Sequence, residues 1–152
     1  MDMEECNMIA IACDHGAVAL KEAIKAHLTK RGLEYKDFGT NSTESCDYPD
    51  FIGPAALAVA SGECDRGIVC CTTGIGVSIV ANKVRGIRCA LLSDLMSARL
   101  TRQHNDTNMM ALGAGVVGEM LALEIVDTWL DTEFQGGRHQ RRIDKLMSYE
   151  GK

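Results

Sequence analysis

"GIVCCTTGIGVS", Gly67 to Ser78, decides how this chain is read. The apolar run Gly67 to Cys71 stops abruptly at two threonines and a pair of glycines, and a segment with helical spacing follows from Ile75 to Val84. A short apolar run without polar alternation suits a strand covered on both faces, the environment of a parallel sheet. Gly74 and Gly76 let the backbone turn tightly and approach a ligand. The helix that follows presents unpaired N–H groups and the positive end of its dipole. The stretch therefore predicts a strand, a ligand-facing turn and a helix.

Outward from this unit the pattern repeats. "MIAIAC", Met8 to Cys13, is a second apolar strand, and further strands are expected at Leu33 to Phe38, Ile87 to Leu92 and Met109 to Leu112. Helical spacing recurs at Ala17 to Leu28, Pro54 to Ala60, Leu95 to His104 and Glu119 to Leu130. This alternation predicts right-handed crossovers and an α/β class: a three-layer α/β/α Rossmann-like fold with a five-stranded parallel sheet. Arg138 to Ser148 reads as an extra C-terminal helix, packed on a partner subunit. At 152 residues, a single domain over 1–152 is expected.

Composition narrows the partners. A net charge of -5 argues against nucleic acid, whose phosphates need clustered positive charge. No stretch reaches the roughly 18 apolar residues of a membrane span. The opening "MDMEECN" does not resemble a signal peptide, so a cytoplasmic location is expected. The seven cysteines are an odd number, and Cys13, Cys70, Cys71 and Cys89 lie in or beside apolar runs, where reduced core thiols are expected rather than disulfides. Without CxxC spacing, no metal site is expected.

Ligands of such sheets gather beyond the carboxyl ends of the strands. Three polar clusters are expected at that rim: Cys13-Asp14-His15, Cys71 to Ser78, and His104-Asn105 after the fourth helix. Cys70 and Cys71 should point to opposite faces, with Cys70 as packing. Cys71 reads either as a thiolate base held at a helix N-terminus or as an inert buried thiol. Asp14 reads as a helix N-cap or, with His15, as an acid/base pair; His104 as a helix-end residue or a proton-transfer group. Arg138 and Arg142 share a helix face suited to phosphate, or form a solvated basic face. His27 reads as structural, and Met109 and Met110 as core. Sharper motifs fail: a phosphatase loop needs Arg where Val77 stands, and a Walker loop needs a lysine before Lys83. Gly113, Gly115 and Gly118 spell GxGxxG, but no later strand supplies an acidic ribose anchor.

Taken in order, "CDHG", "DYPD", "CTTGIGVSIVANKVRGIRCAL", "SARLTRQHNDTN" and "GGRHQRR" resemble the type B ribose-5-phosphate isomerases and their hexose-6-phosphate isomerase relatives, from about Met8 to Leu146. The resemblance implies a dimer or tetramer with active sites shared between chains, and interconversion of ribose 5-phosphate and ribulose 5-phosphate without metal or organic cofactor. It assigns Cys71 as the base, Thr73 as its hydroxyl neighbour, and the backbone at Gly74, Ile75 and Gly76 as the enediolate cradle, with Ser78 in the same substrate-binding loop. It further implies that His104, with Asp14, opens the furanose ring and Asn105 binds the sugar. Tyr48 would line the site and His15, Arg138 and Arg142 would grip the phosphate, the arginines from the partner.

Two positions depart from the resemblance: Thr72 stands where many relatives have glycine, and Gly115 where relatives often have arginine. The stretch "IGVS" carries no acid, which favours Cys71 over a carboxylate base. A hexose 6-phosphate, such as allose or galactose 6-phosphate, is the alternative substrate. A nucleotide-binding regulatory module is the alternative of another class.

Overall fold

The computed structural model describes residues 7–152. Five parallel strands form one sheet: β1 (Ile9–Cys13), β2 (Tyr35–Asp37), β3 (Arg66–Cys71), β4 (Cys89–Leu91) and β5 (Met109–Gly113), in the order β2-β1-β3-β5-β4. The helices are α1 (Val18–Lys30), α2 (Pro49–Ala60), α3 (Ile75–Lys83), α4 (Leu95–Leu100), α5 (Glu119–Asp131) and α6 (Arg138–Met147). A π-helical turn, Thr101–Asn105, continues α4. No helix among the described residues is long and apolar enough to cross a membrane.

Strand alternation builds the two cores. Ile9, Ile11 and Cys13 of β1 face one layer with Ile68, Cys70, Met110 and Leu112, covered by α1, α4 and α5. Ala10, Ala12, Val69, Cys71, Met109 and Ala111 face the other, covered by α2 and α3. Small residues on the second face of β1 let α2 lie close, while each fully buried isoleucine on the first contributes about 1.5–3 kcal/mol of burial. Cys70 and Cys71 thus point to opposite layers, as expected, and Met109 and Met110 are both fully buried. Trp129 is also fully buried, its Nε1 donating to Thr107 Oγ1 at 3.0 Å.

Three sequence expectations change. Helix α2 begins at Pro49 rather than Pro54: Pro49 takes the first-turn position that proline favours, and Pro54 lies inside the helix. Asp14 is not an N-cap, because α1 starts at Val18 with Ala17 as its cap and no capping side chain. His104 and Asn105 do not share a rim with Cys71. Met109 pairs with Gly67 and Gly113 with Cys71, so the π-turn preceding Met109 lies at the amino end of the sheet. At about 3.3 Å per strand residue, the length of β3 alone puts that turn on the order of 13 Å from Cys71. The fourth helix returns the chain to that edge before the next parallel strand can start.

Candidate active site

Strand β3 ends at Cys71, and the chain reaches α3 through Gly74 at φ 78, a left-handed conformation that favours glycine. A Cβ there would lie 2.6 Å from Leu91 Cδ1 and 2.9 Å from the Leu112 carbonyl carbon. The turn folds back so that the Gly74 N–H donates to Cys71 Sγ at 3.0 Å. Thr73 Oγ1 lies 4.0 Å from the same sulfur and accepts the Ile75 N–H at 3.2 Å. Negative charge on this sulfur therefore meets an amide donor and the N-terminus of α3. The Ser78 hydroxyl donates to Ile75 O at 2.7 Å, bracing the first turn of α3. Burial pushes the Cys70 thiol well above its ordinary range, and burial, opposed by Lys21, pushes Cys13 up to about 12. Both remain protonated thiols near neutral pH.

The loop after β1 lies alongside, as expected. The Asp14 N–H donates to Cys70 O at 3.1 Å, and the buried Asp14 carboxylate accepts the Gly16 N–H at 2.9 Å, holding a turn before α1. His15 Nδ1 accepts the Cys46 N–H at 3.2 Å, which leaves Nε2 as the protonated nitrogen of the neutral ring. Tyr48 comes from the segment before α2, and its ring lies within 3.1 Å of where a Gly76 Cβ would stand. Only glycine at position 76 lets the phenol close over the start of α3.

Thr72, singled out in the sequence only as a departure, is where three loops meet. A Cβ on Gly16 would run into Thr72 Oγ1, and one on Gly115 would sit 3.2 Å from Thr72 Cγ2 and 3.1 Å from Thr72 O. A Cβ on Gly113 would stand 2.6 Å from Thr73 O. The first two glycines of GxGxxG thus make room for the Thr72-Thr73 backbone, and Gly118 is the N-cap of α5. The match to a dinucleotide fingerprint has a packing cause.

At the opposite rim is a second cluster. The His104 ring stacks on His139 of α6, with centroids 4.3 Å apart and planes 15° from parallel. Asn105 Oδ1 accepts from Thr101 Oγ1 at 3.1 Å. Arg138 and Arg142 are exposed on α6, flanking His139. Sequence reasoning passed over His139; its place between the two arginines was the available signal. His27 is structural, as expected, its Nε2 2.7 Å from Asp127 Oδ1.

A profile of the Ribose/Galactose Isomerase family matches residues 9–146. The chain belongs to that family. As a member, it is 52% identical over 142 residues to ribose-5-phosphate isomerase B of Escherichia coli, covering 93% of this chain and 95% of the relative. The structure of Clostridium thermocellum ribose-5-phosphate isomerase B superposes with a TM-score of 0.93 at 57% identity, covering 94% of this chain and 97% of that one. Mycoplasma genitalium ribose-5-phosphate isomerase B with bound ribulose 5-phosphate gives 0.92 at 40% identity, covering 97% and 98%. In this isomerase the two rims carry complementary chemistry: a thiol, a carboxylate and amide donors on one, an imidazole and arginines on the other.

Proposed function

We propose that the protein interconverts ribose 5-phosphate and ribulose 5-phosphate through an enediolate, with Cys71 as the base. The carrying observation is the sulfur at the carboxyl end of β3, accepting the Gly74 N–H at 3.0 Å at the mouth of α3. Identity above 50% to ribose-5-phosphate isomerase B of Escherichia coli supports the substrate.

In this reading His104, with Asp14, moves the ring-opening protons: one to the ring oxygen, one from the C1 hydroxyl. The Cys71 thiolate then removes the C2 proton, and the electron pair forms the C1–C2 double bond as the C1 carbonyl oxygen takes the charge. Returning the proton to C1, with transfer of the O2 proton to O1, completes the ketose. In this reading the amides of Gly74 and Ile75 turn from their resting partners, Cys71 Sγ and Thr73 Oγ1, to join the Gly76 N–H on the developing oxyanion, where each such donor contributes on the order of 3 kcal/mol to barrier lowering. Thr73 holds the loop, Ser78 braces it, and Tyr48 closes the crevice. Asn105 binds the sugar, and His15, Arg138 and Arg142 take the phosphate.

His104, Asn105 and the arginines reach a Cys71 only from another copy, because their own lies at the far edge of the sheet. The reading is thus a homodimer, or a homotetramer built as a dimer of dimers, with two composite sites per pair. Exposed Ile75 and Ile79 on α3, with Leu91 beside Gly74, supply an apolar face for that contact. In the same reading a single domain spans 1–152, and a catalytic thiolate, which must stay reduced, supports a reducing compartment such as the cytoplasm. The decisive test co-refolds two variants, Cys71→Ala and His104→Ala, each expected to be inactive alone. Mixed dimers regain one intact site and activity with ribose 5-phosphate returns; mixtures as inactive as the parents refute the shared site. Running allose 6-phosphate and galactose 6-phosphate beside ribose 5-phosphate orders the substrates, with the five-carbon sugar expected to have the higher kcat/KM.

A further inference from the structure

His139 has no role in the chemistry above, yet its surroundings are unusual for a core residue. Its ring is buried, and its Nε2 is the one buried side-chain polar atom without a hydrogen-bond partner among the described residues. With no bond made through Nε2, the contact this ring makes is through its face. The ring lies flat on His104, at 4.3 Å and 15°.

Resting on the reading of His104 as the ring-opening group, we infer that His139 is its positioning residue: a neutral plate that fixes the plane of the His104 imidazole. His104 sits in the π-helical turn Thr101–Asn105, and the short helix before it spans only Leu95–Leu100. The Arg88 Nε–H donates to Asn105 O at 3.0 Å, and further restraint comes from the C-terminal segment. The Gln135 N–H donates to Gln103 O at 3.1 Å, and His139, in the first turn of α6, covers the neighbouring imidazole. The same helix turn carries Arg138 and, one turn on, Arg142. Phosphate grip and ring-opening group are thereby held by one element.

The plate must be uncharged, because two imidazolium rings in contact repel. Burial first, then His104, Arg138 and Arg142, lower the His139 pKa below the ordinary histidine value, so its ring is neutral at pH 7. His104 is left as the member of the pair that moves the proton.

The test separates ring opening from carbon deprotonation. Ribulose 5-phosphate has its C5 oxygen esterified and cannot close a furanose ring, so exchange of its C1 hydrogen with solvent deuterium, followed by NMR, bypasses the ring step. For His139→Ala, kcat from ribose 5-phosphate should fall about 30-fold, as misplacing a reacting group does, with KM changed less than threefold and C1 exchange on ribulose 5-phosphate near wild type. His139→Phe keeps a flat ring and should return kcat to within about threefold of wild type. Unchanged turnover in His139→Ala while His104→Ala is impaired would overturn the positioning role alone. So would equal impairment of the Ala and Phe variants, or equal loss of exchange and turnover in both. A wild-type protein that neither isomerises nor exchanges would remove the isomerase reading itself, and the inference with it.

Discussion

Gly74→Ala probes the turn on which the thiol depends. A side chain at φ 78 costs about 1–2 kcal/mol of left-handed strain. The new Cβ would also meet Leu91 Cδ1 at 2.6 Å and the backbone of Leu112 and Gly113 at 2.9 and 3.0 Å. The leucine methyl can swing away, but the β5 backbone is held in the sheet, so overpacking adds about 1–3 kcal/mol. The sum is about 2–5 kcal/mol. With a urea m-value of about 2 kcal/mol per M, the midpoint should drop by about 1–2.5 M. Relief requires the turn to move, which withdraws the Gly74 N–H from Cys71 Sγ. Losing a hydrogen bond to a charged group costs about 1.5–3 kcal/mol, or about 10- to 100-fold in kcat. Gly32→Ala is the control: its φ is 74, but nothing lies within 4 Å of the added carbon. It should lose only the strain portion and keep full kcat. Equal urea midpoints and equal kcat for wild type and Gly74→Ala would refute the account of the turn.

Lys21 is fully buried, its Nζ bonded to both oxygens of Asp37 at 2.7 and 2.9 Å and to Asn41 Oδ1 at 2.7 Å, and Lys25 adds a further bond to Asp37 at 2.9 Å. Asp37→Ala strands that ammonium and should cost about 3 kcal/mol at pH 7 in urea melts. Burial pushes the Asp37 carboxyl up, but hydrogen bonds from Lys21, Lys25 and the Gly39 N–H outweigh it and hold the pKa below the usual value. The contribution is then complete above an unfolded carboxylate pKa of about 3.9 and lost as pH falls through the folded value, so the stability gap between wild type and variant should close below about pH 4. Iodoacetamide at pH 7.5 should modify Cys71 with loss of turnover, ribose 5-phosphate should slow it, and Cys13 and Cys70 should stay unlabelled by mass spectrometry because burial holds them as thiols. Labelling of Cys70 before Cys71 would contradict the assignment of the two faces.

How far the sequence carried this picture follows from the range of each signal. Doubly buried strands such as Gly67 to Cys71 have a local signature, and the alternation of apolar runs with helical spacing is enough to specify the parallel sheet. The neighbouring Asp14 and Cys71 loops followed from that topology, since both leave the carboxyl ends of adjacent strands. The opposite placement of His104 follows from it as well: a crossover helix must carry the chain back before the next parallel strand begins. Within one copy that crossover keeps His104 apart from Cys71, although the sequence reading groups them. Helix α2 began early because two prolines competed for its first turn and only packing of Ile52 and its neighbours beneath the sheet decided between them. His139 stayed hidden because ring stacking between residues 35 apart in sequence leaves no local pattern. The crowding of Gly16, Thr72 and Gly115 is equally non-local, and it links the two positions at which this chain departs from the family resemblance.

The most direct measurement is hydrogen exchange at C1 of ribulose 5-phosphate in deuterium oxide, catalysed by the wild-type protein and by Cys71→Ala under identical conditions with a metal chelator present. The wild-type protein should wash deuterium into C1 at a rate comparable with turnover, and Cys71→Ala should show none above background while keeping the wild-type circular dichroism spectrum and oligomer mass. Exchange at the wild-type rate in the folded Cys71→Ala protein would contradict the assignment of the sulfur as the base.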